Sequence, residues 1–176
     1  MNYQQLIKAS RTHLEKYPGY GPSSNPLTLF PTGARWMYDR LIELDGNTIP
    51  PFDPKINYTL YGYLKYAICL SGSLAALWWF STYSPLLLPL SVIIFYILEI
   101  HFLFLFPLLL DHSKRPILRG ARATFNIGLL KCLSIVIPIS MFMLIGLFRK
   151  GDSVRNWYIG CLAILIWYNH EVRNRI

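Results

Sequence analysis

The chain has 176 residues, of which 53% are hydrophobic and 15% charged, and its formal net charge is +8. With a mean hydropathy of +0.34 and apolar residues gathered in blocks, the composition excludes an ordinary soluble domain and points to one integral-membrane domain. The basic excess lies at segment ends and in loops, where anionic headgroups and topology signals account for it, so nucleic acid is not expected as a partner.

Residues 2–17 place Tyr3, Leu6, Ile7, Leu14 and Tyr17 at near-helical spacing, with Lys8, Arg11, Glu15 and Lys16 between them. This pattern predicts a short amphipathic helix. Pro18, Gly19, Gly21, Pro22, Pro26, Pro31 and Gly33 then break the chain, and a second helix is expected over 34–44, ending at Asp45-Gly46. Three prolines in 47–54 predict an extended linker. The first 59 residues contain no long apolar core, so no cleavable signal peptide is expected and the first membrane helix should direct insertion. Residues 1–57 are thus read as a cytoplasmic N-terminal segment. Asn57-Tyr58-Thr59 matches a glycosylation acceptor, but on that face it would not be modified.

Four apolar segments follow, at 58–83, 86–110, 127–148 and 154–168. The expected fold is an all-α bundle of four transmembrane helices. The last segment, at about 1.5 Å per residue, reaches only about 22 Å against roughly 30 Å of hydrocarbon, so the alternative is three spans plus one interfacial helix. Only Ser84 and Pro85 separate the first two segments, which forces a helical hairpin with Trp78, Trp79 and Tyr83 at interfacial depth. Six Lys or Arg precede residue 60, none lies at the Ser84 turn, four fall in 111–126, three in 149–155 and two after Tyr168. Both termini are accordingly expected in the cytoplasm. Gly72 and Ala76, with Ser71 and Ala75 beside them, form small-residue strips suited to close helix packing, within the chain or between copies. Cys69, Cys132 and Cys161 all fall in apolar segments without zinc or redox spacing and read as small buried side chains.

Glu99 and His101 are the ionisable residues inside the 86–110 segment. Eleven residues from its end, Glu99 should lie near the midplane, where a lone acid is expected to stay protonated and hydrogen-bonded. Lys65 and Lys131, nearer the cytoplasmic ends, are expected to snorkel outward. About 200° separates Glu99 from His101 around a helix, so each needs its own partner. Haem ligation by His101 would require a second histidine at similar depth, and the sequence has none.

Chemistry-bearing residues gather at the cytoplasmic ends of the second and fourth segments. Asp111-His112 and His170-Glu171 would emerge on one membrane face, where imidazole nitrogen and carboxylate oxygen together suit zinc or iron. With Glu99, these four residues form the candidate catalytic set, and the four themselves form the candidate metal set. Arg115, Arg119 and Arg122 follow Pro116 onto one side of a helix and make a candidate lipid- or phosphate-binding row. The sequence carries no HExxH, repeated histidine box or paired aspartate motif. The reading it favours is therefore a non-catalytic accessory or scaffold subunit, partnered by a bilayer with anionic headgroups and by a larger membrane protein. The alternative is a lipid-modifying enzyme that uses the acid–histidine pairs and the arginine row. No cofactor is identifiable.

Overall fold

Asn2 opens the first helix, α1 (Tyr3–Lys16), through a capping box. Its side chain accepts from the Gln5 amide at 2.9 Å while the Gln5 side chain accepts from the Asn2 amide at 3.0 Å. The structure is a computed structural model that describes residues 1–19, 28–46, 49–148 and 153–173. The expected breakers Gly21, Pro22 and Pro26, and the loop residues 149–152, lie outside them. Among the described residues the chain is all-helical.

The second helix, α2 (Leu29–Asp45), begins earlier than the sequence pattern suggests and includes Pro31 and Gly33. Pro31 occupies the first turn, where a backbone N–H would have no intrahelical acceptor, so the ring costs no hydrogen bond there. Asn57 caps α3 (Tyr58–Tyr83) by accepting from the Leu60 amide at 2.9 Å. Ser84 and a 3₁₀ turn at Pro85–Leu87 then reverse the chain into α4 (Leu90–His101). The hairpin closes tightly at Gly72. A Cβ there would meet Leu98 Cδ1 at 2.4 Å, and beside it Ser73 Oγ donates to the Ser91 carbonyl at 3.0 Å. The Gly72 strip therefore serves packing within the chain.

The apolar stretch expected as one unbroken span is split. Phe102 and Leu103 donate to the Glu99 and Ile100 carbonyls, three residues back, and regular helix resumes only at α5 (Leu105–Leu110). Pro107 contributes to this break, because it has no N–H to return to the Leu103 carbonyl. The 127–148 segment is likewise preceded by a separate helix. α6 (Pro116–Ile127) ends at Gly128, whose φ of +97° turns the chain into α7 (Leu129–Leu147). α8 (Ser153–Trp167) and a π turn at Tyr168–Val172 complete the fold.

Two stretches, Pro85–Leu110 and Leu129–Gly146, are long and apolar enough to cross a membrane. The other two expected crossings do not meet that standard. α3 is long enough but more polar, and α8 has only 15 residues. α8 instead contributes Ile159, Leu162, Ala163, Leu165 and Trp167 to the buried core. It is flanked by α7 and by α1. α1 runs antiparallel to it, since the Met1 amino group lies 2.7 Å from Glu171 Oε1 at one end and Arg155 Nη2 lies 3.4 Å from Glu15 Oε1 at the other. α5 is equally enclosed: Leu105, Leu108, Leu109 and Leu110 are all buried. Large exposed apolar side chains concentrate on the α3–α4 hairpin, where Trp78 is 68% and Leu86 89% exposed. Burying such residues fully would contribute about 1.5–3 kcal/mol each, which makes this surface the chief unmet apolar interaction of the chain.

Candidate functional site

The polar residues singled out in the sequence are tied into several separate contacts. Lys65 faces inward on α3, in line with Tyr58, Gly62 and Cys69 at helical spacing, and its Nζ lies 3.2 Å from Glu99 Oε1. Both side chains are largely enclosed, at 11% and 19% exposure. Neither expected outward snorkelling by Lys65 nor a lone Glu99 is observed, because α3 packs closely enough on α4 for the ammonium to reach the carboxylate. His101 turns away from this pair. Its Nδ1 lies 2.6 Å from the Ile97 carbonyl, on its own helix, and its ring meets Phe125 edge-on at 5.4 Å. Among the described residues the imidazole's hydrogen bond is thus to its own helix and not to another.

Asp111 and Glu171 take different cations. Asp111 Oδ2 accepts from the Tyr168 hydroxyl at 2.5 Å and from Arg173 Nε at 3.1 Å. Arg173 also pairs with Asp45 at the end of α2, so one guanidinium joins α2, the Asp111 turn and the end of α8. Glu171 accepts from Lys131 Nζ at 2.7 Å and from the Met1 amino group at 2.7 Å. Burial alone would raise the Glu171 pKa, but these two cationic donors outweigh it and hold the carboxyl at about 2. His112 and His170 are both exposed, and His112 adopts a left-handed backbone conformation at φ +52°. Among the described residues no three His, Cys, Asp or Glu side chains come together to hold a metal ion. The structure therefore uses the two acids as ties between helices.

Arg115, Arg119 and Arg122 do form one row. Arg115 stands at the N-cap position of α6, Pro116 occupies its first turn, and all three arginines are exposed on one side of the helix. The opposite side, with Pro116, Gly120, Ala123 and Thr124, is buried. Among the described residues none of the three arginines forms an ion pair.

A further polar set joins α1 to α2. Arg40 Nη1 donates to the Tyr17 carbonyl at 2.8 Å and pairs with Glu43 at 2.8 Å, while His13 Nε2 lies 3.0 Å from the same carboxylate. Sequence patterns gave no sign of it, because His13, Arg40 and Glu43 look like ordinary solvated helix positions and Tyr17 contributes only its backbone carbonyl. Lys131 and Arg173 were equally hidden as partners, since their acids lie 40 and 62 residues away. A cleft of about 430 Å³ between α2 and the start of α3 is lined by Arg35, Phe52, Lys55 and Tyr58, among others. The Arg35 guanidinium there lies over the Phe52 ring at 5.0 Å, a cation–π contact that braces the linker. No protein-family model, curated protein or solved structure matches the chain significantly.

Proposed function

We propose that this chain is a membrane-anchored, non-catalytic accessory or scaffold module, whose α3–α4 hairpin enters the bilayer while the remaining helices form a body that docks a larger membrane protein. One observation carries the reading: residues 66–98 contain no Asp, Glu, Lys, Arg or His, and the two ends of this charge-free hairpin are joined by the Lys65–Glu99 pair. At about 1.5 Å per residue the arm from Lys65 to Tyr83 measures about 27 Å, close to the roughly 30 Å hydrocarbon layer. Tyr83 then comes close to the far interface, where aromatic side chains are favoured, with Trp78 and Trp79 about 6–8 Å before it along the helix.

This placement moves Glu99 from mid-bilayer to the hydrocarbon edge and leaves the protein-enclosed α5 outside. A bundle of four full spans has less support. It would set Arg11, which lies 5.4 Å over the Phe142 ring of α7, beside hydrocarbon at a cost of several kcal/mol. The enzyme alternative also has less support, since Asp111 and Glu171 are occupied by Arg173, Tyr168 and Lys131.

The test is sided labelling in a variant lacking Cys69, Cys132 and Cys161. Ser84→Cys should react only from the side opposite to Ser113→Cys, with Ser113 cytoplasmic by the basic residues around it. Both positions reacting from the same side would refute the anchor. Purification in mild detergent should yield a stoichiometric larger partner and no metal. Retained zinc or iron that is lost with His112→Ala or His170→Ala would favour the enzyme instead.

A further inference from the structure

The geometry points to α6 as an in-plane interfacial helix whose Arg115, Arg119 and Arg122 bind the phosphates of anionic phospholipids, an inference that rests on the hairpin-anchor reading. α6 crosses the base of the hairpin immediately beyond Glu99. Thr124 Oγ1 donates to the Ile100 carbonyl at 2.8 Å, and a Cβ on Gly120 would lie 3.1 Å from the His101 carbonyl. If the Lys65–Glu99 pair marks the hydrocarbon edge, α6 lies at headgroup level. Its exposed face is built for that depth. The three guanidinium groups are spaced i, i+4, i+7, covering about 10 Å along the helix, and Leu118 and Phe125 lie along one side of them at 63% and 66% exposure.

Arginines beside exposed apolar side chains match a surface that presents phosphate above hydrocarbon. The row lies on a convex helix face, which cannot enclose a soluble phosphate compound the way a concave site does. The nearest acid in sequence, Asp111, is engaged by Tyr168 and Arg173 and, among the described residues, forms no ion pair with the row.

The experiment reconstitutes the full chain in nanodiscs of phosphatidylcholine alone or mixed with phosphatidylglycerol, and reads retained lipid by native mass spectrometry. Wild type should retain phosphatidylglycerol preferentially, and high salt should erase that preference. The Arg115→Gln/Arg119→Gln/Arg122→Gln variant should lose it, by up to about fivefold per arginine removed at low salt. The corresponding triple Lys variant should keep most of it, and Lys8→Gln/Lys16→Gln on α1 should keep all of it.

A salt-insensitive preference in wild type, or an undiminished one in the triple Gln variant, would overturn the inference. A triple Lys variant as defective as the Gln variant would overturn it too, in favour of a forked site for a soluble phosphate compound. The underlying anchor is read separately, as quenching of Trp78 and Trp79 by brominated phosphatidylcholine, taken as the difference from Trp78→Phe/Trp79→Phe. Quenching with an indifferent triple variant sinks the headgroup site alone, whereas no quenching sinks the anchor and the site with it.

Discussion

Lys65 of α3 and Glu99 of α4 approach to 3.2 Å and join the two ends of a hairpin that carries no other charge between them. Removing one partner leaves the other charge enclosed and unpaired, which typically costs about 3–5 kcal/mol, whereas replacing both with apolar residues of similar volume is often neutral. Lys65→Met and Glu99→Leu should each lower thermal stability sharply in detergent, and the double variant should recover most of the loss. A double variant as unstable as the worse single one would show that the pair is not the relevant interaction. Glu99→Lys, which sets two cations side by side, should be the most damaging substitution at this site.

Gly72 tests the hairpin from the packing side. A side chain there must displace Leu98, whose Cδ1 would lie 2.4 Å from the new Cβ. The leucine tip can rotate away from one methyl group, so Gly72→Ala should cost less than Gly72→Leu, for which overpacking of about 1–3 kcal/mol is expected. Ala75→Leu on the exposed strip of the same helix should cost almost nothing. If Ala75→Leu changed oligomeric state while Gly72→Leu did not destabilise the monomer, the close approach would lie between copies.

What the sequence made legible follows from local physics. Asn2 and Gln5, Asn57, Pro116 and the Ser84-Pro85 turn act within a few residues, and the helices they bound begin or end close to where the pattern predicts. The break at Phe102–Phe104 was not legible, because an apolar run reads as continuous whether lipid or protein surrounds it. The enclosure of α8 by α1 was hidden for a related reason: Leu6 and Leu14 show which face of α1 is apolar but not which helix covers it. At the candidate site the residue types were visible and the pairings were not. Asp111 and Glu171 looked like members of one cluster, and only the cations that reach them from Arg173 and Lys131 reveal two separate ties.

His112 provides a backbone test. At φ +52° it occupies the left-handed region, which disfavours β-branched side chains most and glycine least. His112→Gly should leave stability within about 1 kcal/mol of wild type, and His112→Val should lower it by at least about 1–2 kcal/mol. His170→Ala, at an exposed position, should change it by about 0.5 kcal/mol or less. Chemical denaturation in one detergent checks all three. A large loss from His112→Gly would assign the imidazole an interaction beyond its backbone role.

Glu171 makes stability depend on acid. Its carboxyl is held at about 2, below an ordinary value of 4.5, so the folded state favours the ionised form and the unfolded state binds a proton first as pH falls. The stabilisation is complete above about pH 4.5, declines through the interval below it, and is gone once pH passes the folded value near 2. Melting temperature measured across that range should therefore fall with acid in wild type and fall less steeply in Glu171→Gln, which has no proton to gain. Lys131→Met should flatten the profile in part, because one of the two cationic donors remains at the Met1 amino group. Parallel curves for wild type and Glu171→Gln would mean that other carboxylates govern the acid limb, and that the tie joining α1, α7 and the end of α8 contributes nothing through this charge.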